Sequence, residues 1–363
     1  MEFEQLLRDK IFKLPLRQTS NEDFKSFIIT KLKYFLELVN SLDQGPIHPD
    51  KHHISTEFVK ETQTSIIESL IACIEDYYNG NPYKAYEHIN NVLRNNVKDL
   101  YAIVKQKVYD LNESFFRIRL SDKNYSYKKN EMFHIPFELR NKVTTQRFSI
   151  PGFPSLYLGR TIYICWEELN RPSIDKIQAI RYKNIKRINL IDLTPPAKDC
   201  NDLDEKYRFF MTFPLIMCCS VKVKDAYDPF KPEYIIPQLL LQWIRNNDDL
   251  DGIQYKSTHI NTDVFNENTE LINIVMPVKS NLNNGVCKNL VNYFEGTDVI
   301  SWNLYQFATG GQIFIYNDKD AEIVNKKIPN LEIIEGKKYP YFYSTLGKLE
   351  YYLEIIDTSP LAE

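Results

Sequence analysis

Five side chains able to bind anions or steady developing charge are strung through the middle of this sequence. They are Arg117 in FFRIR, Arg147 in RFSIPGFP, Tyr157 in SLYLG, Glu168 in CWEEL and Ser257 in GIQYKST. A guanidinium is permanently charged and offers a planar fork that matches phosphate oxygens. A fixed carboxylate in a water-poor site stabilises positive charge that builds up during bond cleavage. Each residue alone also fits an ordinary structural role: an ion-paired arginine, a packed tyrosine, a solvated glutamate, a serine at a strand end. Arg119 shares a strand face with Arg117, and Glu167 competes with Glu168 for any acidic role.

The stretch RFSIPGFPSLYLG places two of the chain's 11 glycines beside two prolines. Pro151 and Pro154 fix φ and push the residues before them towards extended geometry. Gly152 supplies the freedom that the prolines remove. The result is a stiff turn running into a short strand. It reads either as a proline-bracketed surface turn with a core tyrosine, or as a loop holding Arg147 and Tyr157 ready for a ligand.

Other chemistry is poorly represented. His48, Asp50, His52 and His53 fall within the linker SLDQGPIHPDKHH, without a helical pair of histidines. They read as a solvated loop, and no metal site is expected. His88, His134 and His259 stand alone. No GxGxxG, Walker A, GxSxG or HExxH motif occurs, which removes the common nucleotide-fold and hydrolase signatures. None of the six cysteines forms a CxxC pair, which fits reduced thiols in a cytoplasmic protein. A net charge of −3 gives no reason to expect nucleic-acid binding. No apolar run reaches membrane-spanning length, and the N-terminus lacks a signal-peptide pattern.

The elements that must position these residues follow from periodicity. At 363 residues, with 43% hydrophobic and 26% charged content, the chain is long enough for two domains. Residues 1–110 read as all-helical. Apolar residues recur at helical spacing from Phe24 to Val39, with Ser20 as N-cap. A second helix runs from Ser55 as cap to Gly80 as stop, and a third starts at Pro82. Near residue 114 the pattern changes. SFFRIRL alternates as a strand does, GRTIYICWEELN reads as a helix, and DKIQAIRYK, RINLIDL, DGIQYKS, ELINIVMPV and QIFIY read as strands. DEKYRFFMTFPLIMCC, PEYIIPQLLLQWIRNN and YSTLGKLEYYLEII read as helices, the second bent by Pro237. The fold class is therefore α+β. The domains expected are a helical one at 1–110, a catalytic one at 111–310, and a C-terminal extension at 311–363 packed on the latter.

The order of these motifs resembles that of the RES domain family, named for an Arg, a Glu and a Ser. An aromatic–Arg strand is matched by FFRIR, an Arg-Phe turn with Pro and Gly by RFSIPGFP, and an LYLA-like strand by LYLG. The following helix is matched by CWEE, and an Ile-Arg helix leading into a Ser-terminated strand by QWIRNNDDLDGIQYKS. The likeness covers roughly residues 114 to 280 and extends more weakly to about 302. Gln146 stands where the family usually has Gly, Ser149 where it often has Asn, and residues 183 to 230 read as an insertion.

The resemblance implies an ADP-ribosyltransferase-like core, a small β-sandwich with helices around an NAD cleft. It implies an enzyme that consumes NAD as substrate, by hydrolysis or phosphorolysis, as a bacterial toxin or anti-phage defence effector. ADP-ribosyl transfer to a macromolecule is the alternative, and a non-catalytic binding module the second. The implied partners are NAD, inorganic phosphate, an antitoxin or other regulatory protein, and a second copy of the chain. On this reading Glu168 faces the ribose as positive charge develops there. Arg117 and Arg147 grip the pyrophosphate, and Arg119 exchanges roles with Arg117 or serves as an ion-pair partner. Tyr157 stacks on the nicotinamide end, and Ser257 hydrogen-bonds there.

Overall fold

In the computed structural model, residues 1–363 are described except 48–52, 95–103, 122–124, 198–199, 259, 261–269, 310–317, 335 and 362–363. The metal-like linker residues His48, Asp50 and His52, together with His259 and the expected strand QIFIY, lie outside the described residues. The helices used here are α1 (Phe24–Asn40), α2 (Thr56–Tyr78), α3 (Pro82–Arg94), α4 (Ile162–Glu168), α5 (Leu203–Cys219), α6 (Ile235–Arg245), α7 (Asp318–Asn325) and α8 (Thr345–Ile355). None of the described helices is long and apolar enough to cross a membrane.

The chain divides into two units. One comprises Met1–Lys107, Thr145–Ile150 and Ile191–Asp249; the other comprises Val108–Thr144, Pro151–Leu190 and Leu250–Glu363. The helical unit is thus discontinuous, where the sequence suggested a single boundary near residue 110. The reason lies in α5, which buries Phe209 through Cys219 without a break. Such a helix has no solvent face and must be wrapped by others. Phe210 and Phe213 lie 5.7 and 5.1 Å from the Phe35 ring of α1. Pro214, inside α5, has no amide to offer the carbonyl four residues back. The Gln63 amide of α2 donates to that Phe210 carbonyl at 3.2 Å.

Two details of the helical expectation change. Asp23 rather than Ser20 caps α1, accepting from the Lys25 and Ser26 amides at 3.0 Å. Pro237 causes no bend inside a helix, because α6 starts only at Ile235 after a short 3-10 turn over Pro232–Tyr234. Proline then falls in the first turn, where a missing amide costs nothing.

The second unit is organised by a ten-stranded sheet. Its strands are β1 (Gln106–Tyr109), β2 (Ser114–Leu120), β3 (Ser155–Gly159), β4 (Ile177–Asn184), β5 (Ile188–Asp192), β6 (Gly252–Lys256), β7 (Ile272–Pro277), β8 (Phe294–Gly296) and β9 (Ile300–Ser301). After the separate hairpin β10 (Asn330–Ile334) and β11 (Lys337–Pro340), β12 (Ser359–Pro360) completes it. The order is β1-β5-β6-β7-β3-β2-β4-β8-β12, with β9 on β4. The resemblance implied a small β-sandwich; the described strands follow one hydrogen-bonded path in a large mixed sheet. That path is pinched in the middle. β2 pairs with β4 from Ser114 to Leu120, and β3 with β7 from Ser155 to Gly159, yet β2 and β3 share the single pair Phe116–Gly159.

Strand alternation sends two sets of side chains to two cores. Phe115, Leu156, Leu158, Ile180, Tyr182, Ile274 and Met276 enter one. Phe116, Ile118 and Ala179 enter the other, where α4 and α8 cover the sheet with Ile162, Ile164, Leu346, Leu349 and Leu353. Gly159 lets α4 descend onto the Phe116–Gly159 pair. A Cβ at that position would stand 2.4 Å from Ile164 Cγ2 and 2.6 Å from Cys165 Sγ. The family-like LYLA strand carries glycine here because this helix brings Ile164 and Cys165 so close. Gly159→Ala is expected to destabilise the protein by about 1–3 kcal/mol through overpacking. A lowered urea midpoint, partly restored by adding Cys165→Ala, is the check.

Candidate active site

Beyond the Phe116–Gly159 pair, β2 and β3 stop exchanging backbone hydrogen bonds, and Arg117 takes over. Its Nη1 donates to the Tyr157 carbonyl at 2.9 Å. Its Nε is buried and has no hydrogen-bond partner, and among the described residues no carboxylate pairs with it. Burial holds this guanidinium below its ordinary basicity. The nearby charge of Arg119 pushes the same way, while Tyr182, Cys165 and Tyr157 push against it. Tyr182, opposite Phe115 on the neighbouring strand, also has a buried hydroxyl without a partner. Burial drives that hydroxyl far above the usual phenol range, although both arginines pull it down. A desolvated cation without a counter-ion is costly, and an anion placed beside it would relieve the cost.

The acid comes from the helix that covers the opposite face of the sheet. Glu168 ends α4, and the Asn273 amide donates to its Oε1 at 2.7 Å. Asn273 stands opposite Gly159 on β3 and opposite Tyr255 on β6. Directly paired residues share a sheet face, so Asn273 and Tyr157, two places along β3 from Gly159, project on the side that α4 covers. Cys165 of α4 interacts electrostatically with both charged groups. Its thiol donates to the Phe116 carbonyl at 3.3 Å. Burial pushes it up to about 12; Glu350 and Glu168 raise it further and Arg117 lowers it. One buried thiol thus senses both Arg117 and Glu168.

Glu167 and Glu168 differ in their surroundings. Glu167 is buried, receives the Tyr163 hydroxyl on Oε1, and accepts from Arg171 Nε on Oε2 at 2.9 Å. Both its oxygens are committed to its own helix and the turn that follows. Glu168 is half-buried and is oriented by a partner on the sheet.

The remaining expected residues are placed as follows. Ser257 is buried one residue past β6, its amide donating to the Leu271 carbonyl at 3.3 Å, on the face of Tyr255 and Asn273. Arg119 lies 4.7 Å over the Tyr127 ring and donates to the Glu131 carbonyl. Arg147 belongs to the other unit. There its Nη1 donates to the carbonyl of Cys219, the last residue of α5, at 3.1 Å, and it lies 5.2 Å over the Tyr234 ring. These are the contacts of a cation capping a helix C-terminus. Gly152, with φ +69, takes the left-handed backbone that glycine allows in the stiff turn.

Three contributors were missed in the sequence. Asn273 is a polar residue in an otherwise apolar alternation, ELINIVMPV. Glu350 interrupts the apolar stripe Leu346, Leu349, Leu353 of α8, and accepts from the Ile162 amide of α4 at 2.7 Å. Tyr182 sits in a strand that reads as ordinary core. For Asn273 and Glu350 the signal was a polar side chain at a core position, which is retained only when it is paired. Among the described residues, no group of three or more His, Cys, Asp or Glu side chains is arranged to hold a metal ion.

Comparison with known proteins finds a Bacillus subtilis (strain 168) protein named "Putative toxin YopC" that is 30% identical over 94% of this chain and 78% of the relative's own length. No protein-family model and no solved structure matches the chain.

Proposed function

The chain belongs to the family of the YopC protein, and on that premise we propose that it is a toxin that cleaves the nicotinamide–ribose bond of NAD. The observation that carries this reading is the buried Arg117 at the parting of β2 and β3, without a carboxylate partner among the described residues, in the same unit as a carboxylate, Glu168, that Asn273 orients, with the Cys165 thiol feeling the charge of both.

The chemistry needs little more. Nicotinamide is bound as a cation and leaves as a neutral ring, so no strong general acid is required. The barrier lies in positive charge that builds on the ribose as the C1′–N bond breaks. Glu168 would stabilise that charge and hold the 2′-hydroxyl. Arg117, with Arg119 two residues along the strand, would meet the pyrophosphate, and the anion would offset the cost of the buried guanidinium. Tyr157 would pack against the nicotinamide end, and Ser257 would fix its pose. Water as acceptor gives ADP-ribose, and inorganic phosphate gives ADP-ribose 1″-phosphate.

Purified protein incubated with NAD, with and without phosphate, is expected to release nicotinamide, and the second product identifies the acceptor. Absence of nicotinamide release under both conditions would falsify the reading. Label carried from NAD onto a protein or nucleic acid would replace it with ADP-ribosyl transfer.

A further inference from the structure

α4 is only seven residues long. Two turns of helix have no stability of their own, so Glu168 can be no better placed than the contacts that hold α4. Its C-terminal end meets the sheet through Asn273. Its N-terminal end is held from the C-terminal part of the chain. Glu350 Oε2 accepts from the Ile162 amide at 2.7 Å and from the Tyr341 hydroxyl at 2.9 Å. The Tyr341 hydroxyl in turn accepts from the Tyr163 amide at 3.2 Å. The first two amides of α4 are thus both satisfied from outside the helix, with Thr161 capping the third at 3.2 Å. Glu350 has no exposed surface and sits within the apolar stripe of α8. An acid there is expensive unless it is used.

We infer that Glu350, with Tyr341 as its relay, is a positioning residue that anchors the start of α4 and thereby sets where the helix presents Glu168. This rests on the role given to Glu168 above. It also gives the segment after residue 311, which lies outside the RES-like motifs, a part in the chemistry. The anchor is tuned by what faces it. Lys327 Nζ stands 3.9 Å from Glu350 Oε1 and 3.0 Å from Glu354, which also pairs with Arg181 at 3.6 Å. Cys165 of α4 and the Tyr341 hydroxyl complete the set of titratable neighbours. Burial raises the Glu350 carboxyl to about 7; Lys327, the Ile162 amide and Tyr341 draw it down, and Glu354 adds to the rise. Because the folded value exceeds the ordinary carboxyl value of 4.5, the folded state holds this proton more tightly than the unfolded chain. The associated stability is complete below the ordinary carboxyl range and is lost as pH rises through about 7.

The test uses the full chain as wild type, Glu350→Ala, Glu350→Gln and Tyr341→Phe. Amide hydrogen exchange across residues 160–170 is measured alongside kcat and KM for NAD. The Ala variant is expected to exchange at least about 10-fold faster at the start of α4, with β7 unchanged. Its kcat is expected to fall about 10- to 100-fold, as for a misplaced reacting group, with KM little altered. Gln, which can still accept from Ile162, restores most of both and flattens the loss of urea stability between pH 5 and 8. Unchanged exchange in α4 in the Ala variant overturns the anchor, whatever the enzyme does. Faster exchange with an unaltered kcat overturns the link to Glu168. A wild type that leaves NAD intact removes the reading of the site, while exchange still judges the anchor. If the Ala variant does not fold, Tyr341→Phe, which deletes the relay to the Tyr163 amide, is judged by the same two readouts.

Discussion

Glu168→Gln is expected to lower nicotinamide release by about 10²–10³-fold, the usual cost of removing one electrostatic stabiliser from a transition state, and to leave the fold intact. The amide keeps the shape of the side chain, and its carbonyl can still accept from Asn273. On the proposed reading, only the charge that would face the developing ribose cation is lost. Stability separates this from a structural effect. Glu168 stands at the C-terminal end of α4, where a negative charge opposes the helix dipole. Neutralising it therefore costs nothing and adds a few tenths of a kcal/mol at most. Glu167→Gln is the informative contrast. Glu167 is buried and ties Tyr163 and Arg171 together. Its loss is expected as about 1–3 kcal/mol of stability, with any effect on turnover following from that. Equal loss of activity in both variants at equal stability would remove Glu168 from its special place.

The second large effect is expected at Arg117. Arg117→Met keeps an unbranched side chain of nearly the same volume, though a shorter one, and deletes a buried charge that has no carboxylate partner among the described residues. Replacing buried ions with apolar groups of similar volume is often neutral or stabilising by about 1–4 kcal/mol. Here one good hydrogen bond, to the Tyr157 carbonyl, is given up in exchange. The ligand-free variant is thus expected to be at least as stable as wild type. NAD should nevertheless bind it about 100-fold more weakly, because the guanidinium no longer meets the pyrophosphate. Thermal melts with and without NAD read both effects. NAD should raise the melting temperature of the wild type and leave that of the variant where it was. A variant that loses stability while binding NAD normally would make Arg117 a strand staple and nothing more.

Part of this was legible from local pattern. Alternation located β2, β4, β6 and β7, and apolar spacing with a cap and a stop located α2. Even the assignment of Glu167 lay in plain view, because Tyr163, Glu167 and Arg171 follow one another at intervals of four. Local spacing could not supply the partner of Arg147, a carbonyl 72 residues away at the end of α5. The same holds for α5 itself. Its apolar character was evident, but which unit it would join depended on Phe35 and Gln63, more than a hundred residues earlier.

The sequence by itself determined which segments are strands and helices, which residue types are available for anion binding and charge stabilisation, and the order in which they come. Those properties depend on neighbours within a few positions. Only the tertiary structure decided that β2 and β3 part after one pair, that Arg117 has no counter-ion there among the described residues, that Asn273 bonds Glu168, and that Glu350 bonds the first amide of α4 from the far end of the chain. Burial and hydrogen-bond satisfaction belong to contacts between segments 40 to 188 residues apart. No local periodicity encodes which buried polar group finds which partner.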